Sequence, residues 1–345
     1  MSRRVPHPDD SLRWQTLPIG GRPRRMSRPV TFTPYASVQA CSARCVFCSE
    51  NLRLAQTSQA AATLRPGARY LEQLGQALTV LRGVEMGYSL SGLEYTDSPP
   101  WMLAVLDLLE EHKKHARITE RTLYTNAAGF ASDVGDLLMD RLKALAFRVE
   151  VSRHFHQAAG NQAIMRFRPG IAVADQLVFE SILRKLATKL EVSLVCIAQA
   201  GGVQSAAQVL EYLTWARDCG VRKVIFREFS RLGPAYQMNA AAKYIAKRRV
   251  TMGGLLAECL EHPALATHLD LSCLTDGYYF WNLTGTYHDL DVTFESSDYA
   301  TMLREHASGR IYKLVFHANG NLCAGWNPVD QILWSANSET KRATL

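Results

Sequence analysis

Between residues 30 and 230, six β-forming runs alternate with helical stretches, and this order constrains the fold more than any composition does. Val30-Thr31-Phe32-Thr33 comes first, followed by Tyr88–Ser91, Arg121–Thr125, Phe147–Ser152, Val192–Ile197 and Lys223–Phe226. After the first run, Leu71, Leu74, Leu78 and Leu81 recur at helical spacing and Gly83 marks a stop. Ser98 ahead of Pro99 and Pro100 predicts an N-cap and first-turn proline for a helix carrying Met102, Val105, Leu106 and Leu109. Further helices are predicted over 132–145, around Phe179–Leu186, and after Ser205, where Gln208 completes a capping box and Gly220 ends the helix. Strict alternation implies parallel strands joined by right-handed crossovers. Six units are too few to close an eight-unit barrel.

Past residue 235 the chain changes character. Tyr278–Trp281, Asp291–Phe294 and Ile311–Phe316 are aromatic and β-branched, with Gly285 and Asn319-Gly320 as turn signals, so a small antiparallel β cap is expected. At the other end, seven arginines in the first 28 residues face only Asp9 and Asp10, which reads as an extended basic arm. The expected divisions are therefore an arm at 1–28, a core at 29–235 and a C-terminal substrate-capping region at 236–345. A hydrophobic content of 47% with 21% charged residues is ordinary for a globular chain, and no apolar run approaches the roughly 20 residues of a membrane span. With no apolar leader at the N-terminus, a cytoplasmic location is expected. The net charge of +7 suits an anionic substrate, and because the arm supplies most of it, a nucleic-acid partner is disfavoured.

Three of the eight cysteines crowd into Cys41-Ser42-Ala43-Arg44-Cys45-Val46-Phe47-Cys48. A structural zinc site wants four ligands, usually as two separated pairs, and no partner pair exists. Eight cysteines in 345 residues are too sparse for a disulfide framework. Three thiolates from one loop can instead hold three corners of a [4Fe-4S] cluster and leave the fourth iron open.

The C-x3-C-x2-C spacing, with the aromatic Phe47 just before the last cysteine, resembles the signature of the radical S-adenosylmethionine (SAM) superfamily. The resemblance implies that Cys41, Cys45 and Cys48 ligate the cluster, that SAM chelates the open iron, and that one electron breaks its sulfonium bond to give a 5'-deoxyadenosyl radical. It also implies an α/β fold, a partial (β/α)6 TIM-like barrel with the antiparallel cap behind it. The strand end Ser91-Gly92-Leu93-Glu94-Tyr95-Thr96 is similar to the segment that meets the SAM amino group, although Leu93 and Tyr95 depart from it. There Gly92 would permit close backbone approach and Glu94 would accept from the ammonium. Thr125-Asn126, Ser152-Arg153 and Arg227-Glu228 close later strands at places that face SAM or substrate in related enzymes, and the last pair could instead form a surface ion pair. Lys313–Cys323 resembles the hairpin near the end of MoaA-like members. Cys259, Cys273 and Cys323 lack the paired spacing of a second cluster and read as small buried hydrophobes.

The expected function is a radical SAM enzyme abstracting hydrogen from a small, nucleotide- or sugar-like substrate, with flavodoxin or ferredoxin as electron donor. The alternatives are a maturase of ribosomally made peptides, with Tyr279, Trp281 and Trp326 lining a groove, and a non-enzymatic iron-sulfur sensor or RNA-binding protein. The segment Ser91-Gly92-Leu93-Glu94 argues against the last. His154, His156, Tyr287, His288 and Cys323 are further candidates for hydrogen donors or substrate contacts, but lone histidines and tyrosines more often pack or face solvent.

Overall fold

A computed structural model describes residues 1–5, 10–52, 65–92 and 94–337. Asp9 and Leu93 lie outside the described residues. Along the chain run β1 (Ser2–Arg4), β2 (Trp14–Ile19), β3 (Arg22–Tyr35), β4 (Met86–Leu90), β5 (Ile118–Thr125), β6 (Arg148–Ser152) and β7 (Val192–Ala198). Then come β8 (Lys223–Glu228), β9 (Leu269–Asp276), β10 (Phe280–Tyr287), β11 (Leu290–Ser297), β12 (Ile311–His317), β13 (Asn321–Cys323) and β14 (Ile332–Ser335). All belong to one sheet.

The six runs expected from the sequence are β3 to β8, adjacent and parallel in chain order, as alternation with helices demands. β7 is buried along almost its whole length, which is why it shows a continuous apolar run rather than alternation. The helix Pro99–His112 carries its proline in the first turn, and Ser98 sits at the N-cap without a side-chain capping bond. Ser205 caps Ala206–Asp218 by accepting from the Gln208 N–H, while Gln208 Oε1 reaches back to the N–H of Gln204 at 3.0 Å. Gly220 ends that helix at φ +77°, a conformation open to glycine at little cost.

The partial barrel continues beyond these six strands. β11 pairs parallel with β8, and β12 pairs parallel with β3. Eight parallel strands thus run β12-β3-β4-β5-β6-β7-β8-β11, and the helix Tyr299–Ala307 carries the chain from β11 at one edge to β12 at the other. The C-terminal antiparallel strands are divided between these edges, with β9 and β10 beside β11, and β13 and β14 beyond β12.

Three local expectations are corrected. The basic arm is not loose from residue 14 onward: β2 and β3 form a hairpin across Gly20-Gly21, with Trp14, Ile19 and Met26 buried. Arg22 and Arg25 are exposed while Trp14, Ile19 and Met26 are buried in the same hairpin, and an averaged composition hides those buried positions. Arg13, Arg25 and Arg310 stand over the Trp14 ring with guanidinium carbons 5.1 to 5.8 Å from its centroid. Gly285, expected at a turn, lies inside β10 at a bulge, where a Cβ would overlap the Asp270 carbonyl of β9. Tyr278 and Tyr279 precede β10 instead of opening it, and Tyr278 stacks on Tyr312 of β12 at 4.0 Å. Among the described residues no helix is long and apolar enough to cross a membrane.

Candidate functional site

The carboxyl ends of the parallel strands open on a cavity of about 980 Å³, walled on one side by the loop that carries Cys41, Cys45 and Cys48. Backbone bonds set the path of this loop. The Arg44 and Val46 N–H groups donate to the carbonyls of Met165 and Ile164 at 2.9 and 3.1 Å, and the Arg168 N–H donates to Ser42 O at 3.0 Å. The Ser42 N–H donates to Asp97 Oδ2 at 2.6 Å. Loop residues without regular structure are thereby tied to the segments after β4 and β6, and all three thiols are half-buried against one space.

Burial, and after it the Glu94 charge, pushes the Cys41 thiol up to about 12. Burial and the neighbouring Cys48 and Cys41 push Cys45 higher still, and burial raises Cys48. Bare thiolates are therefore unfavourable in this setting unless positive charge joins them. The donor set of three soft sulfurs is one that iron-sulfur clusters take, each iron using one thiolate. Among the described residues no group of three or more His, Cys, Asp or Glu is arranged to hold a single metal ion. A cluster does not require the three thiols to converge on one point.

Glu94 binds the strand ends to one another. Its buried carboxylate accepts from Thr96 Oγ1 and Thr125 Oγ1, each at 2.7 Å, and from the Asn126 N–H at 2.6 Å. Burial, then the Asp97 charge, raises its pKa to about 7 against the pull of these bonds. Asn126, so placed, donates from Nδ2 to Ser42 Oγ at 2.8 Å and toward Cys41 Sγ at 3.6 Å. Gly92 lies at φ +89°, and a Cβ there would meet the Tyr35 ring at 2.5 Å and Glu50 at 3.1 Å. The close approach at Gly92 is thus made by Tyr35, whose hydroxyl donates to Glu50.

The cavity brings together Phe47, Gly92, Glu94, Thr125, Asn126, Ser152, Arg227 and Glu228 with the three cysteines. Phe47 sits edge-on to His154 and Phe229, both at 5.0 Å. Ser91 is absent from the lining, and its hydroxyl bonds Ser89 at 2.9 Å. Arg153 is also elsewhere. It is fully buried on the helical side of the sheet, over the Phe179 ring at 4.3 Å, and donates to Phe155 O and Gln176 Oε1. Arg227 and Glu228 do not pair with each other at the surface. Arg227 forks onto Glu295 of β11 at 2.5 and 3.1 Å, while Glu228 pairs with Arg249 and accepts from the Met252 N–H at 2.8 Å. Neighbouring residues on a strand point to opposite faces, so adjacency in sequence separated their partners.

His154 lines the cavity as well, although residue type alone favoured a packing role. Its Nδ1 accepts from the Ile197 N–H at 3.1 Å, which leaves the ring proton on Nε2, and burial lowers its pKa to about 3. Tyr124 and Glu50 line the same space without having been singled out. Period-two alternation along β5 marks Tyr124 as sharing a face with Thr122, and no sequence signal marks that face as the inner one.

No protein-family model matches the chain, and no curated protein does. Among solved structures, Streptococcus suis SuiB bound to precursor peptide SuiA aligns over 90% of this chain and 62% of its own, with a TM-score of 0.52 and 14% identity. SuiB bound to S-adenosylmethionine aligns over 90% and 64%, with a TM-score of 0.51 and 16% identity. The chain spans less than two thirds of the length of the SuiB chains it matches. At such identities the likeness speaks to architecture alone, and in architecture the agreement is clear: this is a partial (β/α)6 TIM-like barrel with antiparallel strands at its C-terminal end.

Proposed function

We propose that the chain is a radical SAM enzyme in which Cys41, Cys45 and Cys48 hold a [4Fe-4S] cluster. The observation that carries this reading is the convergence of those three thiols with the ends of β5, β6 and β8 on one cavity, where ligands of parallel α/β sheets bind. When bound, the cluster and SAM supply one-electron cleavage of a sulfonium and, from it, a carbon radical that takes hydrogen from the substrate. The residues of this chain bind, orient and exclude water. Asn126 aims an amide at Cys41 Sγ, a bond of the kind that tunes cluster potential. Glu94, saturated by its bonds to Thr96, Thr125 and Asn126, positions Asn126 and Thr125 in place of meeting the SAM ammonium. Ser152 and the Nε2–H of His154 are donors open to the cavity, and Phe47 packs beside the cysteines. The exposed Arg44 and Arg166 next to the loop give a positive face to an acidic flavodoxin or ferredoxin.

A small biosynthetic substrate is the first reading of this polar cavity, whose Arg227 is already paired with Glu295. A second reading, a maturase of ribosomally made peptides, draws on the SuiB likeness, since one of those structures holds a precursor peptide. The test of the enzyme is anaerobic reconstitution with iron and sulfide, reduction, and incubation with SAM. Formation of 5'-deoxyadenosine is expected, and Cys45→Ala abolishes it. An intact SAM pool over a fully loaded cluster overturns the proposal. Deuterium transfer into 5'-deoxyadenosine from deuterated peptides or from deuterated nucleotides and sugars then separates the two substrate classes.

A further inference from the structure

Arg44 of the cysteine loop, with Arg166 and Arg168 of the segment that follows the helix Ala158–Met165, surrounds a second cavity of about 400 Å³ that Phe167 and Pro169 complete. Among the described residues no acidic side chain lines it. Backbone bonds hold its walls together. The Arg44 N–H donates to the Met165 and Arg166 carbonyls at 2.9 and 3.2 Å, and the Arg168 N–H donates to Ser42 O at 3.0 Å, so segments about 120 residues apart bring their arginines to one place. Phe167, between two of them, is buried, and its N–H donates to Gln162 Oε1 at 3.1 Å. Arg166 sits at φ +51°, a conformation that glycine adopts freely and an arginine only at a cost.

Among the described residues none of the three guanidinium groups makes a hydrogen bond or ion pair. Arg44 and Arg166 are exposed, and in the half-buried Arg168 only Nε is closed off, so its two terminal nitrogens remain open to the cavity. Asp97 feels the Arg168 charge from beyond ion-pair distance, and its Oδ2 is taken by the Ser42 N–H at 2.6 Å. Three like charges gathered in one concavity repel one another, and no ion pair answers them. Their complement must carry negative charge and face three planar forks at once. A monocarboxylate brings one charge and two oxygens. A phosphate monoester brings nearly two charges and three free oxygens, which matches the donors far better.

We propose that the cavity among Arg44, Arg166 and Arg168 binds a phosphate group. Arg44 and Arg168 also line the cysteine-loop cavity, so a phosphate held here leaves the rest of a phosphorylated molecule facing that larger space. Two sources share this chemistry, a phosphate ester that is the substrate and free inorganic phosphate. Assigning the phosphate to the substrate rests on the proposed radical reading; the phosphate site itself does not. For a substrate ester, specificity follows from distance, because the anchored phosphate sets which carbon is presented beside the cysteines.

The reconstituted full chain, freed of unbound iron, is treated anaerobically with phenylglyoxal at constant ionic strength, and each arginine is followed by peptide mass spectrometry. Inorganic phosphate, ribose 5-phosphate and acetate are the probes, with chloride as control. At about ten times its Kd, bound phosphate slows modification of Arg44, Arg166 and Arg168 about tenfold and leaves the exposed Arg217 unchanged. Protection by ribose 5-phosphate at lower concentration than inorganic phosphate identifies an ester site, and equal protection a site for free phosphate. Arg166→Gln removes an exposed side chain and weakens protection of the other two arginines about tenfold, the loss of one charge-assisted contact. If phosphate protects none of the three beyond chloride, if acetate protects as well as phosphate, or if Arg166→Gln leaves protection unaltered, the arginines are only a positive face for an acidic reductant and the proposal is overturned. Failure of the wild-type chain to form 5'-deoxyadenosine defeats the radical reading instead, and leaves phosphate protection standing.

Discussion

Replacing Gly92 with alanine places one methyl group where the structure has no room for it. The residue adopts φ +89°, which costs an L-residue about 1–2 kcal/mol. The new Cβ would stand 2.5 Å from Cε2 of Tyr35, and relieving that overlap costs a further ~1–3 kcal/mol. The expected destabilisation is the sum, about 2–5 kcal/mol. Urea denaturation with linear extrapolation measures it, and iron content after reconstitution reports the site, because Tyr35 bonds Glu50 only two residues beyond Cys48. A second substitution separates the two contributions. Tyr35→Leu removes the ring, so in the Gly92→Ala background it recovers the overlap part and leaves the backbone part, and the cycle shows a coupling of ~1–3 kcal/mol. A Gly92→Ala variant within ~0.5 kcal/mol of the parent, or a cycle with no coupling, would refute the reasoning.

Three further outcomes are expected. Arg153→Met leaves Phe155 O and Gln176 without their donor and should cost about 1–3 kcal/mol in chemical denaturation while leaving SAM affinity by calorimetry unchanged, since the side chain lies outside the cavity. Asn126→Leu removes the amide near Cys41 Sγ, and a redox titration followed by electron paramagnetic resonance should find a lower cluster potential than in the parent. His112 is buried against the Tyr88 hydroxyl at 2.8 Å, and burial lowers its pKa from 6.5 to about 4. A depressed histidine pKa means that the unfolded chain binds the proton first. Its contribution is therefore present above pH 6.5 and is lost as pH falls toward 4, by about 3 kcal/mol, so the stability profile of His112→Leu should be flatter across that window.

The residues that could be found without coordinates were those whose signal is local. Three thiols within eight positions, an aromatic before the last of them, and β-forming runs separated by helical periodicity are properties of short stretches, and the six central strands and the cysteine loop appear where those stretches predict. Arg153 and Arg227 looked alike in sequence, each polar and near a strand end, yet one is locked among helices and the other faces the cavity. The difference is one residue of register, which on a pleated strand reverses the face.

What only the tertiary structure decided involves contacts between residues far apart in the chain. The pairing of β12 with β3 joins residues about 280 positions apart, and nothing in Ile311–Phe316 distinguishes a parallel eighth strand from an antiparallel cap. The basic hairpin at the N-terminus, the saturation of Glu94 by two strand ends, and the gathering of Arg44, Arg166 and Arg168 around one small cavity likewise depend on which partner arrives. Hydrophobic periodicity dictates which face of an element is buried. Packing alone dictates against what, and the chemistry of a buried polar group is set by that neighbour.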